Sequence, residues 1–179
     1  MDINNTFIKS RLNQKQILFL ENLQDLIQTK IYFYGSIERK DYFNGKSDID
    51  ADIFPANVQS TLFKLRQIGN IPNNQVNYIK WSLFMPEIHK FNCIKVKVIN
   101  KEVSLEINIY NQNKRNEVLN ARKFQLQQFN PTLQNILMIF KKMHYEYGII
   151  SIDLLMKIKI FLYNNIAKMT AFYLQEKIE

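Results

Sequence analysis

Residues 47–53, Ser-Asp-Ile-Asp-Ala-Asp-Ile, constrain this chain more than any other stretch. Side chains alternate across a β-strand with period two. Asp48, Asp50 and Asp52 therefore share one face, while Ile49, Ala51 and Ile53 share the other. Such a strand has an apolar face to bury and a carboxylate face to compensate. Aspartate is depleted in strands, and like charges side by side are unfavourable. A divalent cation is the simplest compensation, and Mg²⁺ takes one or two carboxylates together with phosphate oxygens and water. A calcium-binding loop is excluded, because Ile53 stands where that loop needs glycine and Gln59 where it needs glutamate.

The segment Ile31–Tyr34 is β-branched and aromatic and runs into Gly35–Ser36, which reads as a strand ending in a tight turn. Backbone N–H groups and a serine hydroxyl in such a turn can hold phosphate oxygens. Arg39, Lys40 and Lys46 lie between this turn and the aspartates, either as cations for a phosphate-bearing ligand or as ordinary solvated loop residues. Helical spacing runs over roughly 5–29 through Ile8, Leu12, Ile17, Leu20, Leu23 and Ile27, and a short helix is expected over 58–68, with a loop over 69–77. Two more strands are expected at 94–99 and 103–110, joined as a hairpin by Asn100–Lys101–Glu102. On the second, Leu105, Ile107 and Ile109 face one way and Ser104, Glu106 and Asn108 the other, so Glu106 projects from a half-buried strand.

Asn130–Pro131 is an N-cap and first-turn pair for a helix over about 131–145. Gly148 ends that element, and Ser151 caps a last helix. Its apolar stripe is Leu154, Leu155, Ile158, Phe161, Leu162, Ile166, Met169 and Tyr173. The expected architecture is α+β: an N-terminal helix, a small mixed sheet and a helical C-terminal half, divided into residues 1–115 and 116–179.

The combination of Gly35–Ser36, a short spacer and Ser47-Asp48-Ile49-Asp50 resembles the DNA polymerase β-type nucleotidyltransferase superfamily. The resemblance covers residues 31–110. It implies a nucleotidyltransferase core that moves a nucleoside monophosphate from an NTP or dNTP to a hydroxyl. It implies Asp48 and Asp50 as paired ligands of Mg²⁺, with Mn²⁺ as the alternative ion, and Gly35, Ser36, Arg39 and Lys46 beside the substrate. A third carboxylate on a separate strand completes such a site, and here it is Glu106, with Glu102 as the fallback. The superfamily more often has aspartate at this place. Asp52 matches no ligand position and is expected at the strand end, behind the ligands.

Composition closes other routes. One cysteine, Cys93, excludes an intramolecular disulfide framework and suggests a reducing, intracellular setting; His89 and His144 are too few for a polyhistidine metal site. No apolar run approaches the ~20 residues of a membrane span, and no secretory leader is visible at the N-terminus. Walker-type and dinucleotide-binding glycine motifs are missing from the sequence. Asn, Lys, Ile, Tyr and Phe make up about half of the chain, the imprint of an AT-rich or viral genome. The net charge of +8 favours a nucleic-acid acceptor, a 3′ end above all. The alternatives are a minimal family X-like DNA polymerase and a non-catalytic subunit of the same fold. No oligomeric state is legible.

Overall fold

A computed structural model describes residues 5–69, 71–85, 87–99, 101, 103–167 and 175–177. Its element order is α1 (Thr6–Lys9), α2 (Gln14–Ile27), β1 (Ile31–Tyr34), β2 (Ile49–Ile53), α3 (Val58–Gly69), β3 (Val76–Met85), β4 (Glu87–Ile99), β5 (Ser104–Ile109), α4 (Arg115–Gln127), α5 (Pro131–Tyr145), α6 (Ile152–Asn165) and β6 (Gln175–Lys177). The six strands form one mixed sheet in the order β1-β2-β5-β4-β3-β6. β2 and β5 run parallel, and every other pair is antiparallel. The fold is α+β, as the sequence predicts.

Strand alternation sorts the sheet into two faces. Ile49, Ala51, Ile53, Leu105, Ile107, Val96 and Val98 point to one side and pack with Leu20, Leu23 and Ile27 of α2 and Leu62 and Leu65 of α3. This is the main core, and each fully buried aliphatic side chain in it contributes about 1.5–3 kcal/mol. On the opposite side Ile79, Trp81, Phe91 and Cys93 pack with Tyr110 and with Val118 and Ala121 of α4. A third cluster joins α5 to α6 through Leu133, Leu137, Leu162 and Tyr163.

Four expectations need correction. The first helix is two, because Asn13 starts a new one: its side chain accepts from the Gln16 N–H at 2.9 Å and its own N–H donates to Gln16 Oε1 at 3.0 Å. The loop expected over 69–77 gives way at Val76 to a ten-residue strand, and β4 starts at Glu87 rather than 94. Lys80, Ser82, Asn92 and Lys95 break up the apolar pattern of this hairpin, yet β3 is held by ladders on both sides. Helix α4 falls, apart from Arg115, inside the helical region expected over 116–179, although no sequence pattern marks it as a helix of its own. It is polar nearly throughout, and of its apolar residues only Val118 and Ala121 are buried. The last helix ends at Asn165, and its stripe is not uniformly core: Leu155 and Leu162 are buried, whereas Leu154, Phe161 and Ile166 are exposed. Met169 and Tyr173 lie outside the described residues, as do Asn100 and Glu102 of the hairpin link. β4 and β5 still pair down to Ile99 and Ser104 across that link.

Candidate active site

The sheet register builds a polar row on the face opposite the main core. Tyr34 lies across from Asp50, Asp50 beside Glu106, and Glu106 across from Lys97. The next row is Tyr32, Asp52, Asn108, Lys95 and Asn77. Helices α5 and α6 lean over the first row and enclose a cleft of about 350 Å³, lined among others by Gly35, Ser36, Asp48, Asp50, Glu106 and Lys159.

Gly35 opens the turn after β1 with φ +78°, and a Cβ there would sit 2.6 Å from Asp50 Oδ2. Only glycine lets the turn backbone come this close to the carboxylate. Ser36 is buried beside it. Asp50 is half-buried, and among the described residues nothing hydrogen-bonds or ion-pairs with its carboxylate. Burial and then the charge of Glu106 push the Asp50 carboxyl up to about 6.

The other two carboxylates carry built-in cations. Lys95 Nζ is 2.5 Å from Glu106. Lys97 Nζ lies 3.5 Å from Glu106 and 3.5 Å from Asp48, bridging them. Burial works against the Lys97 ammonium, but Asp48 and Glu106 outweigh it and hold its pKa above the ordinary value. Asp48 stands just before β2, is exposed, and also accepts from the Ser104 hydroxyl.

Among the described residues no three carboxylate, imidazole or thiolate groups form a ready-made metal cage. Mg²⁺ does not need one, since it is held by one or two carboxylates plus substrate phosphates. The donors here are hard carboxylate oxygens: Asp50 has no direct partner among the described residues, and an ammonium spans Asp48 and Glu106. This set fits a divalent cation.

Asp52 is turned away from the cleft into a buried network. Arg122 of α4 donates to it through Nε at 2.8 Å and Nη2 at 3.1 Å, and Asn108 donates at 3.0 Å. The same guanidinium stacks 3.6 Å from the centre of the Tyr34 ring, whose hydroxyl accepts from Asn108 at 2.7 Å. Arg122 thus ties α4 to β2 through Asp52 and to β1, the strand that precedes the Gly35 turn, through Tyr34.

Arg39 lines the cleft but is no solvated loop residue. It is buried, donates to Asp41 at 2.8 Å and 3.1 Å, and lies 4.1 Å from the centre of Phe129. Lys141 of α5 closes the cluster at 2.9 Å from Asp41. Lys46 instead donates to the Tyr145 carbonyl at 2.6 Å, outside the residues that line the cleft.

Burial acts to raise the Asp41 carboxyl, but Arg39 and Lys141 prevail and hold it at about 2, below an ordinary 3.8. A carboxyl depressed in the folded state stabilises the fold above its unfolded pKa and ceases to do so as pH falls through its folded pKa. Asp41 therefore contributes about 2–3 kcal/mol near neutrality. Chemical denaturation of wild type and Asp41→Asn is expected to show a stability gap above pH ~4 that closes towards pH ~2. A gap of constant size across that window would contradict the assignment.

Of the cleft residues, Lys159 was not singled out by the sequence, whereas Trp81 reads there as a core residue. Lys159 interrupts the apolar stripe of α6, and burial followed by repulsion from Arg39 lowers its pKa. Its signal was a lysine inside an otherwise apolar helix face. Trp81 is buried and also lines the cleft, with Lys95 Nζ 5.6 Å from its ring centre.

No protein-family model and no curated protein matches the chain. Solved structures do. Similar to it are the poly(U) polymerase Cid1, at 14% identity and a TM-score of 0.41 over 78% of this chain and 46% of that one, and GLD-2 in complex with RNP-8, at 13% and 0.40 over 91% and 61%. A third is a cytoplasmic RNA terminal U-transferase, at 14% and 0.41 over 81% and 47%. Cid1 and GLD-2 are both polymerase β-type nucleotidyltransferases. The chain spans less than half the length of the Cid1 structure. What the cleft can do is read from its own side chains.

Proposed function

We propose that this chain is a metal-dependent nucleotidyltransferase that moves a nucleoside monophosphate from an NTP or dNTP to a hydroxyl, with a nucleic-acid 3′ end as the acceptor. The observation that supports it best is the Asp50 carboxylate, without a hydrogen bond or ion pair among the described residues, set beside Glu106 by strand register and pressed against the Gly35 backbone in an open cleft. Asp48 and Asp50 would hold Mg²⁺ or Mn²⁺, and Glu106 would complete the site. A bound cation supplies charge neutralisation of the triphosphate and acidifies the acceptor hydroxyl. The turn at Gly35–Ser36 orients the phosphates, with Arg39 at the end of that turn and Lys159 of α6 to neutralise them. The acceptor oxygen attacks the α-phosphorus, its proton passes to Glu106, and the bond to the β-phosphate breaks to release pyrophosphate. Residues 1–115 form the catalytic core in this reading, and 116–179 the helical region packed on it.

The lysines seated on Glu106 and Asp48 favour one competing reading, a non-catalytic subunit that keeps the fold and has replaced the metal by ammonium groups. Metal dependence separates the two. Each labelled NTP and dNTP is offered, with Mg²⁺ or Mn²⁺, to single-stranded RNA, primed DNA, gapped DNA and protein alone. Label on a nucleic-acid end that chelation abolishes is the expected result, and template-directed dNTP use would point to the family X-like polymerase. Asp50→Asn is expected to lower transfer by about 10²–10³-fold with a melting temperature no lower than that of wild type, because it removes charge aimed at the reacting phosphate and relieves a carboxylate that burial and Glu106 disfavour. No labelled acceptor in any arm would leave the non-catalytic reading standing.

A further inference from the structure

Beyond the cleft, the polar row continues across the sheet. A second cavity of about 360 Å³ begins at Glu106 and runs over Lys95, Lys97 and Asn77 to Lys177 on β6, with Asn74 and Gln75 along its rim. It shares Lys95 and Glu106 with the cleft, so the two adjoin at these side chains. From β5 to β6 the floor crosses three strand spacings, about 14 Å. Three lysines face one glutamate there, and the remaining polar groups are amides that can donate to phosphate oxygens. Lys95 and Lys97 occupy the junction, bound to the carboxylates on one side and open to the trough on the other.

We propose that this trough is the track for the phosphate backbone of a single-stranded acceptor, and that Lys95 and Lys97 pass from the carboxylates to its phosphates when the carboxylates are neutralised. The inference rests on the function proposed above and specifies where its acceptor lies. Both contacts of Lys97 are long, at 3.5 Å, and its side chain is 35% exposed, so it lets go at little cost. A phosphate then takes up the ammonium charge. Loading the carboxylates with charge and loading the acceptor would thereby favour each other, as linkage requires. A trough of this volume seats one strand rather than a duplex.

The test measures binding alone, by fluorescence anisotropy of a short labelled single-stranded RNA over a range of salt concentrations, with no nucleotide present. Lys97→Ala and Lys177→Ala are each expected to weaken binding and to reduce the slope of log K against log salt by about 0.7, the value for one phosphate contact on a single strand. Glu106→Gln, which mimics a neutralised carboxylate, is expected to tighten binding. That gain is expected to vanish when Lys95→Ala and Lys97→Ala are added. Melting temperatures of all variants identify any that fail to fold, and Lys177, on the far strand, serves as the site outside the catalytic cleft. Unchanged affinity and slope in Lys97→Ala and Lys177→Ala would overturn the track. A Glu106→Gln gain that survives loss of both lysines would overturn the hand-over. Equal binding of duplex RNA or of an acidic peptide would overturn the single-strand assignment. Because no catalysis is involved, the track can fail while nucleotide transfer succeeds, and the reverse.

Discussion

Gly35→Ala is expected to reduce nucleotide transfer by at least about 100-fold, while the protein stays folded. Two costs meet at this residue. Its φ of +78° is a backbone conformation that non-glycine residues enter at about 1–2 kcal/mol. In a protein of this size that lowers the melting temperature by roughly 2–8 °C. The larger effect is geometric. The new methyl group would overlap Asp50 Oδ2, 2.6 Å from the Cβ position, and the carboxylate would have to swing away. Displacing a reacting group by about 1 Å costs on the order of 100-fold in rate. Gly45 provides the control: its φ is +73°, and nothing lies within 4 Å of its Cβ position. Gly45→Ala should therefore lose a similar amount of stability and keep its activity. Steady-state kinetics with labelled nucleotide and a thermal melt on both variants decide the matter. Equal activity in the two would show that close approach to Asp50 is irrelevant.

Arg122→Leu carries the largest expected loss of stability, about 3–5 kcal/mol, or roughly 6–20 °C in melting temperature. The leucine strips Asp52 of its guanidinium and leaves a carboxylate 1% exposed with, among the described residues, Asn108 alone to solvate it. It also removes the cation stacked 3.6 Å from the Tyr34 ring, at the end of the strand that leads into the Gly35 turn. The pair itself is not a strong source of stability, because burying both charges is costly. The double variant Asp52→Leu/Arg122→Leu is accordingly expected to melt closer to wild type than Arg122→Leu alone. Denaturant titrations of the four members of that cycle measure the coupling. A double variant as unstable as the sum of the two singles would refute it.

What could be read from the sequence was local. Alternation in residues 48–53 and 104–109 predicts two strands with apolar Ile49, Ala51, Leu105 and Ile107 on one side and Asp50 and Glu106 on the other, and both strands are present with that facing. The caps at Asn130 and Ser151 mark helix starts because each side chain accepts from a backbone N–H three residues on, at 2.8 Å and 3.2 Å. Such signals need only neighbouring residues, and tertiary context reinforces them. Where local pattern was weak, it failed: α4 is too polar to show a face, and β3 interleaves lysine and serine with its apolar residues.

Only the tertiary structure decided who meets whom. Parallel pairing of β2 with β5, in a register that no local rule sets, puts Asp50 beside Glu106. The antiparallel partner β4 then brings Lys95 and Lys97 onto the same carboxylates, so two lysines that the sequence places on one strand face, either solvated or turned to nucleic acid, become cations paired with Glu106. Asp52 finds Arg122 across 70 residues of chain, and Lys159 reaches the cleft because α6 packs over the sheet. A carboxylate's sequence neighbours state which face it occupies. Its pKa and its partners depend on burial and on charges brought from distant elements, and those exist only once the sheet has closed and the helices have docked.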